Sequence, residues 1–587
     1  MTNSQTFTAL RLPWWASLVL GVACVLVGAA LTVRPFQSLS ALLWLTIGGL
    51  LAMGLSGFGA GEPGERPWAS RLLGLLWIGA ALLAALWPGL TIRGLAVVAG
   101  VALLVNGAAR AGLALRGGRD ERLLLGLVGL SQLIFGVLAL SLPAVTVLLM
   151  AVLFGLALVL LGVRQIGAAL GRREGAPAVQ PATGGGWLRR LRLAGAVAGL
   201  VAALGAVALV VAVRLAQPGA PGPFYTPPAP LPDSPAGTVL RAEPVPGFFP
   251  GATAHRVLYL STGHDGAPAA VSGLVIVPDG PPPPEGRPVV AWAHGTVGVA
   301  PNCGPSLIDG ASYGATLPGL GQLLAAGYVV AAPDYQGLGT AGPHPYLVGA
   351  SAGVNTLDSV RAAADLPEAG AGRDFVVWGE SQGGHAALFT GQMAASYAPE
   401  LRLRGVLASA PSSDLINLFR AKTEESNAVG NVLISMAVTA WAEVYGVGLD
   451  EVVYPAARPL ARSIAANCIQ NPRQIQASVP AATLLNFVFF RSPPWEVQPW
   501  DRILAENTPG GVATPAPVLI AQGDADPVIS PDVQARFAEA LCAVGTTVEY
   551  RVYPGIGHLA IAHDTEDEMV AWIGERFAGA PARTTCA

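Results

Sequence analysis

The sequence predicts two parts with different folds: an N-terminal all-α transmembrane bundle, and a C-terminal doubly wound, mostly parallel α/β sheet with a helical cap insertion. Before about residue 215, long uncharged runs of Leu, Ala, Val and Gly dominate. All seven histidines lie after residue 250, where short runs rich in Val, Ile and Ala alternate with helical segments. A chain of 587 residues is also too long for a single domain.

The N-terminal half contains seven apolar runs close to the roughly 20 residues that a membrane-spanning helix needs. They lie at 14–33, 38–58, 72–87, 94–115, 123–142, 144–163 and 193–213. Because one apolar run follows another, we expect membrane helices rather than a cleaved signal peptide. No acidic residue or histidine lies within the runs, so we expect no proton relay or ion site there.

The first six runs form a repeat of three helical hairpins. In each copy a glycine, a proline and a second glycine are spaced by 14 and 19 residues, and successive copies are displaced by 53 and 55 residues. The copies are Gly21, Pro35, Gly54; Gly74, Pro88, Gly107; and Gly129, Pro143, Gly162. We expect the prolines at tight turns and the glycines where helices pack closely. This region resembles the HdeD-like family of small acid-resistance membrane proteins, which have paired short transmembrane segments.

Arginines set the expected orientation, because basic residues concentrate in cytoplasmic loops. They cluster in alternate loops, at Arg66, Arg71, Arg116, Arg119, Arg122, Arg172, Arg173, Arg189, Arg190 and Arg192. The N-terminus is therefore expected in the cytoplasm and the C-terminal half outside it. A net charge of −3, with scattered basic residues, gives no reason to expect a nucleic-acid partner.

The C-terminal half predicts eight strands and several helices between them. The strands are expected at 256–261, 270–277, 288–293, 328–332, 375–378, 405–408, 517–521 and 547–553, and the main helices at 350–364, 384–396, 531–543 and 565–577. Most of the strands are continuous apolar runs, as in a parallel sheet that helices cover on both faces.

The predicted domains follow from these patterns. They are a six-helix membrane domain at 1–170, a basic cytoplasmic loop at 171–192, a seventh transmembrane helix at 193–214, a Pro/Gly-rich linker at 215–246, and an α/β domain at 247–587 with a cap insertion at about 412–511.

Ser381 is the candidate nucleophile. In the sequence GESQG the glycines stand two residues on either side of it, where a sharp strand-to-helix turn needs residues without a Cβ. Such a turn raises the hydroxyl above the sheet edge. It also directs the backbone N–H of Gln382, at the start of the next helix, to the place where an oxyanion forms.

Asp526 and His558 are the candidate acid and base, and each follows a predicted strand. His558 would take the serine proton, while Asp526 would fix the imidazole tautomer. Asp524 is the alternative acid; the spacing from Gly523 and the following Pro-Val favour Asp526.

Three other histidines near the motifs have structural interpretations. His563 precedes Thr565, the predicted N-cap residue, and is expected to be a solvated helix-start residue. His385 is expected to pack one turn after the nucleophile, and His294 to shape the oxyanion loop. Backbone N–H groups of Gly295, Thr296, Val297 and Gly298 are candidates for the second oxyanion donor.

With these residues in place, the stretch from about residue 240 to the end resembles the secretory lipase family, the lipase A type of α/β-hydrolase. The matching pieces are AWAHGTVGVAPNC at 291–303, PDYQGLGTAGPHPYLVG at 333–349, VWGESQGGHAAL at 377–388, GDADPV at 523–528 and GIGH at 555–558. The resemblance implies that Ser381, Asp526 and His558 form a triad that hydrolyses carboxylic esters, including lipid esters. It departs at Glu380, an acid beside the nucleophile, which could lower activity or shift the pH optimum.

The resemblance also implies a cap and two disulfides. Apolar segments between 412 and 511 could cover an apolar cleft. The implied pairs are Cys303 with Cys468 and Cys542 with Cys586, while Cys24 stays a free thiol. No metal-ligand spacing or phosphate-binding glycine loop is present in this half, so no cofactor is expected.

These observations together predict a membrane-anchored, extracytoplasmic serine hydrolase that acts on apolar esters through an acyl-enzyme. An acyltransferase using the same triad remains an alternative, because an acyl-enzyme can transfer its acyl group to an alcohol. A degenerate binding domain attached to a membrane sensor or transport module is a second alternative. The expected partners are the ester substrate and the lipid bilayer.

Overall fold

The computed structural model divides the chain into two compact units, Met1–Ala212 and Val213–Ala587. It describes residues 14–33, 88–115, 119–141, 158–167, 186–215 and 217–586 without 309, 426, 456, 487 and 488, together with isolated residues at 47–82 and 156–170.

The N-terminal unit is helical throughout its longer described segments. Its helices are α1 (Trp14–Val33), α2 (Pro88–Ala114), α3 (Arg119–Ser141), α4 (Leu158–Gly167) and α5 (Gly186–Leu215). The predicted spans at 38–58 and 72–87 lie outside the described residues, apart from isolated positions, as does the first half of the span at 144–163. Within the described residues, Glu121–Ser141 is the one helix both long and apolar enough to cross a membrane; further apolar helices there are shorter.

Three predicted helix starts in this unit differ from the structure. Helix α3 begins at Arg119 rather than at 123, so Arg119 and Arg122, which were expected in a loop, are helical. Helix α2 begins at Pro88 rather than at 94, since proline is well suited to a first helical position. Helix α5 begins at Gly186, so the last part of the predicted basic loop at 171–192 is helical. Arginine is a good helix former, and its charge therefore does not end the helix.

Glycines from different copies of the repeat lie in contact, the last glycine of one copy against the first of another. A Cβ on Gly107 would lie 2.9 Å from the carbonyl oxygen of Gly129, and one on Gly129 would lie 3.0 Å from that of Gly107. In the same way, a Cβ on Gly162 would lie 2.5 Å from the carbonyl oxygen of Gly21. The last glycine of copy two thus packs on the first of copy three, and the last of copy three on the first of copy one. These contacts allow the helix backbones to approach closely.

The C-terminal unit is built on a nine-stranded sheet in the order β1-β2-β3-β5-β4-β6-β7-β8-β9. Its strands are β1 (Val239–Val245), β2 (Ala252–Thr262), β3 (Pro268–Pro278), β4 (Arg287–Ala293), β5 (Val329–Pro333), β6 (Ala371–Glu380), β7 (Arg402–Ser409), β8 (Val518–Gly523) and β9 (Val548–Tyr553). Strands β1, β2, β3 and β5 pair antiparallel, and β5, β4, β6, β7, β8 and β9 pair parallel. The predicted mostly parallel α/β sheet is confirmed.

Helices cover both faces of this sheet and fill the cap. They are α6 (Gly310–Gly314), α7 (Leu320–Ala325), α8 (Gly349–Asp365), α9 (Gln382–Tyr397), α10 (Leu415–Glu425), α11 (Ala428–Val444), α12 (Arg458–Ala465), α13 (Pro472–Leu485), α14 (Trp500–Glu506), α15 (Pro531–Ala543), α16 (Ile561–Asp564) and α17 (Glu566–Phe577).

Both faces of the central strands are buried, which explains their continuous apolar runs. Val289 and Ala291 of β4 belong to the apolar core on one face, while Val290 and Trp292 belong to the core on the other. Parallel strands covered on two sides have no polar face, and so their sequences do not alternate.

The cap lies between β7 and β8 and has an apolar core of its own. Phe419 of α10 stacks on Trp441 of α11, with ring centroids 5.4 Å apart. Leu485 of α13 and Trp500 of α14 are buried in the same core. Helices α10 to α14 therefore form a separate packed layer.

The segment predicted as a linker is part of the folded unit. Strand β1 lies within 215–246 and pairs with β2, and Tyr225 is only 5% exposed. The Tyr225 hydroxyl is 3.0 Å from the Ser306 Oγ, and Gln217 accepts a 3.0 Å hydrogen bond from the Cys468 N–H. Proline and glycine made this stretch resemble a spacer, although here they shape an extended chain that packs on the domain.

Candidate active site

The nucleophile turn joins β6 to α9 at Ser381, whose backbone has φ 55° and ψ −114°. A Cβ on Gly379 would overlap the Gly383 carbonyl group, and one on Gly383 would overlap the Ala293 carbonyl group. Only glycine fits these two positions, because the turn presses its own backbone against the end of β4. A non-glycine residue with positive φ is strained, and such strain is typical of functional turns.

The structure brings Ser381, His558 and Asp526 together at the carboxyl ends of three strands. Ser381 follows β6, Asp526 follows β8 and His558 follows β9. The Ser381 Oγ is 2.9 Å from the His558 Nε2, and the His558 Nδ1 is 2.8 Å from the Asp526 Oδ2. With a proton on Nδ1, the imidazole donates to the carboxylate and accepts the serine proton at Nε2.

Asp526 is held as a carboxylate by several donors. The backbone N–H groups of Val528 and Ile529 donate to its Oδ1 at 2.7 and 2.8 Å, and the Gln522 side chain donates to its Oδ2 at 3.1 Å. Burial works against its charge, but the hydrogen bonds from His558 and the backbone outweigh burial, so the pKa of Asp526 lies below its ordinary value.

The alternative acid, Asp524, has a structural role. It is exposed, and its Oδ1 accepts a 2.6 Å hydrogen bond from the Gly555 N–H. This contact ties together the two loops that carry Asp526 and His558. Asp524 is thus a turn residue in this structure.

The other predicted histidines do not face the nucleophile. His385 is buried, with its Nε2 2.7 Å from the Asn507 carbonyl oxygen. His294 lies between two carbonyl groups, with Nδ1 2.7 Å from that of Gly295 and Nε2 3.1 Å from that of Asp334. His563 is largely solvated and stands 3.9 Å from Glu566. The predicted cap Thr565 precedes α17, but its hydroxyl donates back to Ile561.

The loop after β4 supplies the second side of the oxyanion site. A Cβ on Gly295 would lie 3.9 Å from the Ser381 Cβ, so this backbone runs beside the nucleophile. Farther along, the Val297 carbonyl accepts a 2.8 Å hydrogen bond from Ile469, and Gly298 packs against Cys303. The backbone at Gly295 is therefore the part of this loop that borders the nucleophile, while Val297 and Gly298 secure the loop to the cap. On the opposite side, the Gln382 N–H begins α9 and has no partner within that helix.

Two residues of the site were missed from the sequence: His344 and Tyr346. The Gln382 Nε2 is 3.3 Å from the His344 Nε2, and the Tyr346 hydroxyl is 2.9 Å from the Thr296 Oγ1. Burial lowers the pKa of His344 to about 3, so it is a neutral imidazole. Both residues lie in the motif GPHPYLVG, which signalled the family but not these contacts.

Glu380 directly precedes the nucleophile and shares its surroundings. The pKa of Glu380 is raised to about 7, chiefly by burial; the nearby His558 lowers the pKa in part, and the Asp526 charge raises it. Near neutral pH this carboxyl group therefore gains or loses its charge next to the candidate base.

We expect Glu380→Gln to change the kcat/KM profile around and above pH 7, where the wild-type carboxyl group becomes charged. Glu380 is mostly neutral well below pH 7 and mostly ionised well above it, and glutamine stays neutral throughout, so the variant should resemble the wild type at pH 5 and differ from it at pH 8. The measurement is ester hydrolysis from pH 5 to 9, with the exposed Glu575→Gln as matched control. A profile with the same shape as that of the wild type would contradict this assignment.

The structure forms two disulfides, Cys303–Cys468 and Cys542–Cys586. The first joins the end of the oxyanion loop to the cap, and the second holds the C-terminal segment against α15. Cys24 is a free thiol. In the described part of the chain, no group of three His, Cys, Asp or Glu is arranged to hold a metal ion.

Comparison with protein families matches residues 306–585 to the family described as secretory lipase. The C-terminal half matches the secretory lipase family. Residues 72–138 match a short repeat of unknown function, and the HdeD-like name for this region stays a resemblance.

Individual relatives agree with the secretory lipase match. A probable inactive lipase of Mycobacterium tuberculosis is 26% identical over 386 residues, which cover 61% of this chain and 82% of that protein. A trichothecene C-3 esterase of Fusarium sporotrichioides is 28% identical, and a lipase A of Arthroderma benhamiae is 30% identical. The chain spans less than half of these two proteins, 47% and 43%.

A solved structure shows the same fold as the secretory lipase half. Candida antarctica lipase A in its closed state superposes with a TM-score of 0.53 at 18% identity, covering 63% of this chain and 89% of that one. At this identity the likeness concerns the fold alone. The chemistry is therefore inferred from the residues that form the site.

Proposed function

We propose that the C-terminal half is a serine ester hydrolase that works through an acyl-enzyme. The observation that supports this most is the continuous hydrogen-bonded chain from Ser381 through His558 to Asp526. A degenerate binding domain would have no need for a strained serine turn, a base of defined tautomer and a carboxylate held by four donors.

The reaction follows from the geometry. The Ser381 Oγ attacks the ester carbonyl carbon as the His558 Nε2 takes its proton, and the negative oxygen of the tetrahedral intermediate faces the N–H groups of Gln382 and the 295–296 loop. His558 then gives the proton to the departing alcohol, leaving an acyl-Ser381. A water molecule repeats the two steps, which releases the carboxylic acid and restores the serine.

We propose that the substrate is an apolar ester. Helices α10 to α14 form an apolar layer beside the site, and the cap is fastened to the oxyanion loop by the Cys303–Cys468 disulfide. Burial of apolar substrate surface against such a layer would provide binding energy of about 25 cal/mol per Å².

We also propose that the N-terminal half is a multi-pass helical bundle that anchors the enzyme in the cytoplasmic membrane, with the site outside. The arginine-rich alternate loops and the apolar helices support this. Non-reducing peptide mapping of membrane-expressed protein should recover both disulfides, since they persist in oxidising compartments. Recovery of Cys303, Cys468, Cys542 and Cys586 as free thiols would contradict the outward placement.

The function is tested by labelling the full-length protein with a fluorophosphonate probe. We expect the Ser381 Oγ to attack phosphorus, fluoride to leave, and His558 to take the serine proton, which gives a stable covalent adduct. Peptide mapping should locate the probe on Ser381, and His558→Ala should slow labelling strongly. A folded protein that remains unlabelled, or that is labelled elsewhere, would overturn the proposed function.

A further inference from the structure

A short segment between β5 and α8, His344–Pro345–Tyr346, touches both sides of the oxyanion site. His344 contacts Gln382, whose N–H is the first candidate donor. Tyr346 contacts Thr296, which follows Gly295, the residue that borders the other side of the site. One segment thus reaches two elements that are far apart in the sequence.

The contact between Tyr346 and Thr296 has a preferred direction. Tyr346 is 2% exposed, and in the described part of the chain its hydroxyl has one hydrogen-bond partner, the Thr296 Oγ1 at 2.9 Å. A buried hydroxyl that does not donate loses a hydrogen bond it had in water, so Tyr346 donates to Thr296. The hydroxyl hydrogen of Thr296, a half-buried residue that follows Gly295 in the loop, is then left for another acceptor.

The contact between His344 and Gln382 is also directional. The His344 Nδ1 lies 2.8 Å from the Gln336 carbonyl oxygen, which can only accept, so Nδ1 carries the proton. The His344 Nε2 of this neutral ring is therefore an acceptor, and the Gln382 Nε2 donates to it at 3.3 Å. Gln382 is itself 2% exposed, so this bond fixes its side chain, and with it the start of α9.

The segment is rigid and belongs to the cap core. The Trp441 indole N–H of α11 donates to the Tyr346 carbonyl oxygen at 2.8 Å, and Tyr346, Leu347 and Val348 pack into the apolar core of the cap. Leu347 has φ 54°, a strained value for a leucine that persists because its surroundings hold it. The cap thus sets the position of the segment.

We propose that His344 and Tyr346 are positioning residues that hold the two sides of the oxyanion hole, and that the Thr296 hydroxyl, accepting from Tyr346, donates to the oxyanion as a side-chain donor. This inference rests on the proposed ester hydrolysis. It assigns Thr296 a catalytic contact beyond its backbone N–H, and it connects the cap to catalysis through Trp441.

The first test compares Thr296→Val, Thr296→Ser and Tyr346→Phe in the full-length protein with a short p-nitrophenyl ester. Thr296→Val should lower kcat about 10²-fold, which is typical for loss of one oxyanion donor. Thr296→Ser keeps the hydroxyl and should restore most of the rate. Tyr346→Phe should lower kcat about tenfold, since it acts through Thr296. KM and the pH profile between pH 5 and 9 should stay unchanged in all three variants, because the one titrating group altered, the Tyr346 phenol, has a pKa that burial raises to about 12.

A double-mutant cycle separates positioning from a general packing effect. Once Thr296 is valine, adding Tyr346→Phe should cost nothing further, whereas additive losses would overturn the proposed contact. Affinity for an alkyl boronic acid, which forms a tetrahedral adduct on serine, should fall by the same factor as kcat. The matched control is Tyr454→Phe, at a tyrosine that is 39% exposed on the cap.

His344 is tested by a pair of variants of similar size. His344→Asn can still donate to Gln336 from the Nδ1 position but offers no acceptor to Gln382, and should lower kcat with unchanged KM. His344→Gln can place an amide oxygen at the Nε2 position and should restore activity. Equal activity of both variants with wild type would overturn the role of His344. A wild-type kcat in Thr296→Val would overturn the role of the Thr296 hydroxyl as an oxyanion donor. The proposed ester hydrolysis is tested separately by Ser381→Ala. If that variant is inactive, the proposed function stands even when the proposal for Thr296 fails.

Discussion

Ser381→Ala is expected to lower kcat on the order of 10⁶-fold for a short p-nitrophenyl ester, since no other group can form the acyl-enzyme. The change removes one oxygen, which lies 2.9 Å from the His558 Nε2. Alanine adopts the positive φ of 55° about as readily as serine does, because the strain comes from the Cβ that both carry. The variant should therefore fold normally.

The control for this variant is Ser396→Ala on the same helix, α9. Ser396 is exposed, and its hydroxyl donates to the Met393 carbonyl oxygen, so its loss should leave both activity and melting temperature close to wild type. Thermal unfolding of both variants shows that the fold is retained. Turnover of Ser381→Ala close to wild type would remove Ser381 from the mechanism.

The strands and the three catalytic candidates could be predicted because their signals are local. A run such as Val289–Ala293 is buried on both faces, so its sequence alone indicates a central strand. The glycines around Ser381 are likewise required by the turn itself, since a Cβ on Gly379 or Gly383 would overlap backbone. Asp526 was a candidate because it follows such a strand, β8, and His558 because it follows the strand expected at 547–553.

The edge strand β1 was not predicted, because its sequence is polar and contains proline and was therefore assigned to the linker. It contains Arg241, Glu243 and Pro244, residues that central strands avoid. An edge strand pairs on one side only, so it tolerates proline and charge. Its position beside β2 is decided by the partner strand rather than by its own composition.

His344 and Tyr346 could not be assigned from the sequence because their roles depend on residues far along the chain. Tyr346 meets Thr296 50 residues earlier, and His344 meets Gln382 38 residues later. Neither contact leaves a periodicity or a spacing in the sequence. In the N-terminal half, by contrast, the glycines at the repeat positions in the sequence lie in contact in the structure. These pairs are Gly107 with Gly129 and Gly21 with Gly162.

Asp526→Asn is expected to lower kcat about 10³- to 10⁴-fold, because the amide would impose the wrong imidazole tautomer. The backbone N–H groups of Val528 and Ile529 donate to Oδ1, so the asparagine must keep its carbonyl oxygen at that position. Its NH₂ group then replaces Oδ2, 2.8 Å from the His558 Nδ1. A donor there requires an unprotonated Nδ1, which moves the proton to Nε2 and leaves His558 unable to accept the serine proton.

Asp524→Asn is the matched control, two residues away. Its side chain accepts one hydrogen bond from the Gly555 N–H, and the amide oxygen of asparagine can accept the same bond. Activity should therefore stay within a few-fold of wild type, which is the usual effect of a surface substitution that keeps its contacts. Steady-state kinetics of the two variants, with circular dichroism to verify folding, decide between the acids. A large loss in Asp524→Asn and a small one in Asp526→Asn would move the catalytic acid by two residues, and the hydrogen bond between His558 and Asp526 would then need another explanation.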